Sequence, residues 1–239
     1  MISKFLILGR RNKDDGEKPF WISFADLMSA LMVMFLLVMS VALLAVTNVV
    51  SETDRNKAVR EQEIDQLLAT IEKAAEKHPG IFVDKNRAVI DFGDRARFDT
   101  GSSQLSNEQA QALTQFVSEM LVVAQDGPGR KWLKRIVAEG FADQRGDYLL
   151  NLNLSLQRSQ RVLCVLLSYP PNYKGFMLSP VEQEQVRDLF LVGGYSFNSA
   201  KKSMDESRRI ELRLEFYGLD ELHPALSDIP RGNFGSCRI

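Results

Sequence analysis

The sequence predicts a single transmembrane helix joined to an α/β (α+β) domain, a βαβαβ-type mixed sheet with helices on one face. Three observations carry that expectation. From Leu27 to Val50 there is no charged residue. The stretch that follows, Ser51 to His78, contains no Gly or Pro and is rich in Glu, Lys, Gln and Ala. Beyond Pro79-Gly80, short β-rich runs alternate with segments of helical periodicity, the pattern of a sheet covered by helices. A chain of 239 residues has room for one sizeable domain and an appendage.

In order, residues 1–18 form a short polar tail, and 19–50 the membrane helix. A span needs about 20 apolar residues, whereas the apolar region of a cleaved signal peptide is roughly 7 to 15 residues long; the run is therefore expected to be an uncleaved anchor. Pro19 suits a first helical turn, where its missing N–H costs nothing, and Phe20 and Trp21 suit the interface. Lys4, Arg10, Arg11, Lys13 and Lys18 precede the span and Arg55, Lys57 and Arg60 follow it, a bias toward a cytoplasmic N-terminus and an external C-terminal domain. Residues 51–80 read as a helical stalk, with Val59, Ile64, Leu67, Leu68 and Ile71 forming a partial apolar stripe that suits a short coiled coil. The folded domain spans 81–218 and a tail 219–239. Within the domain, Ala88 to Phe92 predicts a strand, and Ser106 with Gln109 a capping box that opens a helix to about Gln125. Arg135 to Ala142 predicts a second strand and Leu149 to Ser168 a helix broken by Tyr169-Pro170-Pro171. Ser179-Pro180 with Glu182 starts a further short helix, followed by strands at Phe190 to Gly194 and Arg208 to Tyr217.

Composition narrows the function. A net charge of -1 argues against broad nucleic-acid binding. The two histidines, His78 and His223, are far apart, the two cysteines form no CxxC pair, Ser155 lacks a G-x-S-x-G setting, and no phosphate loop is present. Neither an enzyme nor a metal site is expected. Cys164 and Cys237 read two ways: paired in an oxidising compartment, pinning the tail to the domain, or as two unpaired thiols with Cys164 buried.

Asp26 stands at the head of the apolar run. Ser23-Phe24-Ala25-Asp26 fits a capping box, and a carboxylate in a first turn suits the helix dipole. With Trp21 at the interface, however, Asp26 lies about 7 to 8 Å deeper, where a carboxylate costs up to roughly 2.5 to 3.5 kcal/mol toward the centre. Such groups face a partner or a water-filled path and handle ions. Ser29, one turn on, reads equally as an ion-solvating hydroxyl or a small packing residue.

Four segments of the domain belong together: FDTGSSQLS from Phe98, GFADQRGD from Gly140, NLNLSLQRSQRV from Asn151 and SRRIELRLEF from Ser207. On residue types alone, Asp143 and Arg158 are either an ion pair fixing a loop to a helix or the two charged halves of a site for a zwitterion, Asp143 taking an ammonium and Arg158 gripping a carboxylate. Asn151 would add hydrogen bonds and Leu154, one turn before Arg158, would line the pocket. Arg145 and Asp147 are expected to shape the loop and stay solvated; Arg208 and Arg209 are either pocket residues or exposed edge charges.

These segments, over roughly Arg87 to Tyr217, resemble the peptidoglycan-binding domain of the OmpA family, with its FD..G...L, GHTD..G, N..LS..RA..V and NRRVEI patterns. Phe141 replaces the family's His, Ser159 an Ala and Ser207 an Asn, and the connection from Pro170 to Val186 is longer. The resemblance implies binding of diaminopimelate in the wall peptide at Asp143, Arg158, Asn151 and Leu154. FADLMSALMVMFLLVM in turn resembles the membrane helix of MotB-type stator subunits, which implies that Asp26 carries a coupling ion, H⁺ or alternatively Na⁺. It also implies a homodimer seated in a ring of MotA-like multi-pass subunits, with peptidoglycan as the anchor and no cofactor. Within that group the short tail and helical stalk resemble the anti-phage defence branch, which would reach cytoplasmic effectors through its partner and bind no nucleic acid directly. A flagellar stator and a passive wall tether are the alternatives.

Overall fold

The computed structural model describes residues 18–168, 175–222 and 232–237. The basic residues Lys4, Arg10, Arg11 and Lys13, the Tyr169-Pro170-Pro171 break and His223 lie outside them. The chain divides into two units, residues 1–56 and 57–239.

In the first unit, helix α1 (Lys18–Ala75, shared with the second) carries the charge-free run. It is long and apolar enough to cross a membrane. Leu31, Met34, Leu37, Leu44 and Val46 are all exposed within the unit. Because the helix has already formed at Lys18, Ser23 is not its cap, and Asp26 lies beyond the first turn.

The second unit begins at Lys57 and not at residue 81. Ile64, Leu67, Leu68, Ile71 and Ala75 share one face of α1, and each is at most 9% exposed in the core of the domain. The stripe expected to line a stalk is instead a core-facing side of the domain, and Val59 alone of the five residues named for it stays exposed.

Strands β1 (Phe82–Asp84), β2 (Val89–Asp91), β3 (Leu133–Gly140), β4 (Phe190–Gly194) and β5 (Ile210–Phe216) form one mixed sheet in the order β1-β2-β5-β3-β4. All pairings are antiparallel except β3 with β4. The parallel pair needs a crossover, and helices α4 (Tyr148–Leu167) and α5 (Pro180–Leu189) supply it. Helix α2 (Asn107–Gln125) opens with the expected capping box: Ser106 Oγ accepts from the Gln109 amide and Gln109 Oε1 from the Ser106 amide. The same device, Ser179 with Glu182, opens α5. Two short helices, α3 (Gly127–Trp132) and α6 (Met204–Ser207), were not expected.

Alternation along the strands separates two surfaces. Ile90, Ile136, Ala138, Ile210, Leu212 and Leu214 meet Leu113, Phe116, Val117, Met120, Val162 and Leu166 in one core. The intervening strand residues form cross-strand ion pairs, Arg213 with Glu139 at 2.6 Å and Arg135 with Glu215 at 2.5 Å. Helix α4 approaches the sheet closely because Gly140 and Gly194 lack side chains. A Cβ on Gly140 would stand 1.9 Å from the Ser155 carbonyl, and one on Gly194 2.8 Å from Ser155 Oγ.

Candidate functional site: a carboxylate held by two arginines

The loop after β3 and the start of α4 are built by local hydrogen bonds. Asp147 stays exposed and shapes the loop, capping α4 by accepting from the Leu150 amide at 3.1 Å. Asn151, only 3% exposed, donates through Nδ2 to the carbonyls of Arg145 (2.7 Å) and Asp147 (3.1 Å). Gly146 adopts φ +87, a left-handed conformation that a side chain would strain. The turn carrying Asp143 is thus fastened from both ends.

Asp143 is buried and paired with Arg145 and Arg208, not with Arg158. Arg145 reaches it with Nη2 at 2.7 Å and with its backbone amide at 3.0 Å, and Arg208 donates through Nη1 at 2.9 Å. The Arg145 guanidinium, foremost, and then the Arg145 amide and Arg208 hold the carboxyl well below the usual carboxylate range, against the opposing effect of burial. Arg145 also donates to Thr100 Oγ1 at 2.9 Å, joining two of the four motif segments. Arg208 donates to the Phe98 carbonyl at 2.8 Å and pairs with Asp205.

Arg158 has no accessible surface. Its Nε, Nη1 and Nη2 donate to the carbonyls of Ser102 (2.9 Å), Phe141 (2.7 Å) and Asp99 (3.2 Å), and its guanidinium lies 4.9 Å from the Phe98 ring centroid. Burial, reinforced by the positive charge of Arg208, lowers its pKa to about 10, leaving it a cation at neutral pH. In this arrangement Arg158 clamps the Phe98–Ser106 segment to the end of β3. Leu154 is half-buried one turn before it.

Arg208 and Arg209 are both buried where the chain enters β5, which lies between β2 and β3 and is not an edge strand. Arg209 stacks its guanidinium 4.0 Å from the Phe141 centroid, and Tyr195 stacks on the same ring at 5.3 Å. Phe141 therefore packs against both a cation and a second aromatic ring. Nothing in its residue type signalled the partnership, since Arg209 and Tyr195 are distant in sequence. The Asp143–Arg145 pair carries a weak local signal, an acid and a base two residues apart beside Gly146 in a tight turn.

Cys164 and Cys237 form a disulfide that ties the end of the chain to α4. The tail is held again where the Gly232 amide donates to Glu184 of α5 at 2.6 Å. In the first unit, the Ser29 hydroxyl donates to the Ala25 carbonyl at 2.7 Å, so one of its donor–acceptor functions is already used within the helix. Among the described residues no cluster of His, Cys, Asp or Glu has the grouping of a metal site.

A helix apolar and long enough to span a membrane, followed in the chain by a mixed-sheet α/β domain, is the class of protein these features define. No protein-family model matches the sequence. The chain is 45% identical over 214 residues to the Zorya protein ZorB of Escherichia coli O139:H28, covering 89% of this chain and 86% of that one, and it belongs to the ZorB family. Similar solved structures include a MotB-like protein from Desulfovibrio vulgaris (18% identity, 67% of this chain and 96% of that one, TM-score 0.40). The periplasmic domain of MotB is 14% identical over 55% of this chain and 65% of that one, with a TM-score of 0.38.

Proposed function

We propose that the chain is the wall-anchored stator subunit of an ion-driven rotary machine in the bacterial inner membrane, serving anti-phage defence. The observation that carries the reading is Asp26 at the head of a charge-free run, on a helix long and apolar enough to span, in a member of the ZorB family. Asp26 takes up and releases the coupling ion, H⁺ with Na⁺ as the alternative, beside a ring of MotA-like, ZorA-type multi-pass subunits. Protonation removes the charge and its desolvation cost, and deprotonation restores both. That alternation changes what the helix can contact and is the step that would move the ring. A single span encloses no path, so two copies of the chain stand within the ring, and Ser29 keeps oxygen lone pairs to offer the ion. The N-terminus is cytoplasmic, and defence effectors are reached through the ring.

The folded domain holds peptidoglycan, with Asp143 receiving the ammonium of the diaminopimelate stem beside Asn151 and Leu154. Arg158 contributes by holding the Phe98–Ser106 segment in place and by its positive charge. Substituting Asp26→Asn keeps the size of the side chain and removes its titration. The expected outcome is loss of both phage protection and ion flux in cells that still insert the protein normally. A variant that kept both would leave a passive tether as the correct description.

A further inference from the structure

The geometry points to Arg145 as a displaceable latch that occupies, on Asp143, the place of the ligand's ammonium. The inference rests on the wall-binding reading of Asp143. Two guanidinium groups share that carboxylate, and they differ in kind. Arg208 is only 8% exposed and is committed on three sides, to Phe98, Asp143 and Asp205. The Arg145 side chain is 49% exposed, while the Asp143 side chain beneath it is 7% exposed. Arg145 is thus the outer cover of the acid, and a cationic ligand approaching from solvent meets it first.

Removing Arg145 does not take the turn apart. The Asn151 bonds are made to the backbone carbonyls of Arg145 and Asp147, and the Arg145 amide reaches Asp143 through the main chain. Only the Arg145 side-chain bonds to Asp143 and to Thr100 are lost in Arg145→Ala. The latch is therefore a side-chain event, with two anchors that can be weakened separately. An ammonium cannot pair with Asp143 on the solvent side until the guanidinium leaves. Apparent affinity is then reduced by the fraction of molecules in which it has left.

The test measures binding of a soluble muropeptide with a diaminopimelate stem to the full chain in detergent, by titration calorimetry. Arg145→Ala is expected to bind about tenfold more tightly, as for a competent state populated about one time in ten. Thr100→Val, which removes one anchor, is expected to tighten binding by a smaller factor. Arg145→Lys, which restores a cation of the ligand's own type over the acid, is expected to return affinity toward the wild-type value. Unchanged or weaker binding in Arg145→Ala overturns the latch, because the guanidinium would then be neutral or helpful to the ligand. Asp143→Ala separates the two levels of inference. If it leaves wild-type binding intact, the site reading fails and the latch with it; if it abolishes binding while Arg145→Ala fails to tighten it, only the latch fails.

Discussion

At the scale of single residues, the domain concentrates buried charge where its loops meet. Arg158 is the clearest case, a cation without accessible surface whose partners are three backbone carbonyls rather than a carboxylate. A buried acceptor left unpaired costs about 1 to 3 kcal/mol. Met fills similar volume but donates nothing, and of the three bonds only the one to the Phe141 carbonyl is fully buried, so Arg158→Met should destabilise the domain by about 1 to 3 kcal/mol. A thermal melt of the full chain in detergent measures this, and a loss below about 1 kcal/mol would mean that water replaces the guanidinium. The types of the charged residues at the site are legible in the sequence, as an acid in GFAD and a base in LSLQR. Their partnerships are not, because a guanidinium reaches across loops. Asp143 is satisfied by a neighbour two positions on and by Arg208, 65 residues away. Phe141, in turn, owes its place to Arg209 and Tyr195.

At the scale of elements, what is legible depends on whether the signal is local. The boxes Ser106–Gln109 and Ser179–Glu182 are complete within four residues, and both helices begin where they stand. The strand Phe190–Gly194 falls on its expected limits. Strand β1 has only three residues, too few for alternation to register, and α3 is written Gly-Pro-Gly at its start. Between these lies the 57–75 segment of α1, whose apolar stripe is visible in the sequence while the surface that covers it is not. A stripe at helical spacing suits a second helix or a sheet-and-helix core equally well. Here it meets the core, and that makes a prediction. Leu68 is 3% exposed and Val59 is 43% exposed. Leu68→Ala should cost about 2 to 5 kcal/mol, and Val59→Ala less than about 0.5 kcal/mol. Thermal melts of the two variants would be indistinguishable if the segment were a solvated stalk.

At the scale of the whole molecule, the sequence and the disulfide bear on the same question, which side of the membrane holds the domain. Positive residues concentrate before the apolar run, which favours an N-terminus in the cytoplasm. Disulfides persist in oxidising compartments and are rare in the reducing cytoplasm, so the Cys164–Cys237 bond independently favours an external domain. The chain has two cysteines, and both are in that bond, so thiol chemistry reads out the compartment without an added reporter. In intact spheroplasts, a membrane-impermeant maleimide should leave the protein unlabelled, and mild reduction beforehand should open both cysteines to it. Cys237→Ser should be labelled at Cys164 without any reductant, because Cys164 is only partly buried. A cytoplasmic domain gives the opposite pattern: free thiols in the wild type that react only after lysis. That pattern would reverse the orientation and put the Asp143 site out of reach of the wall.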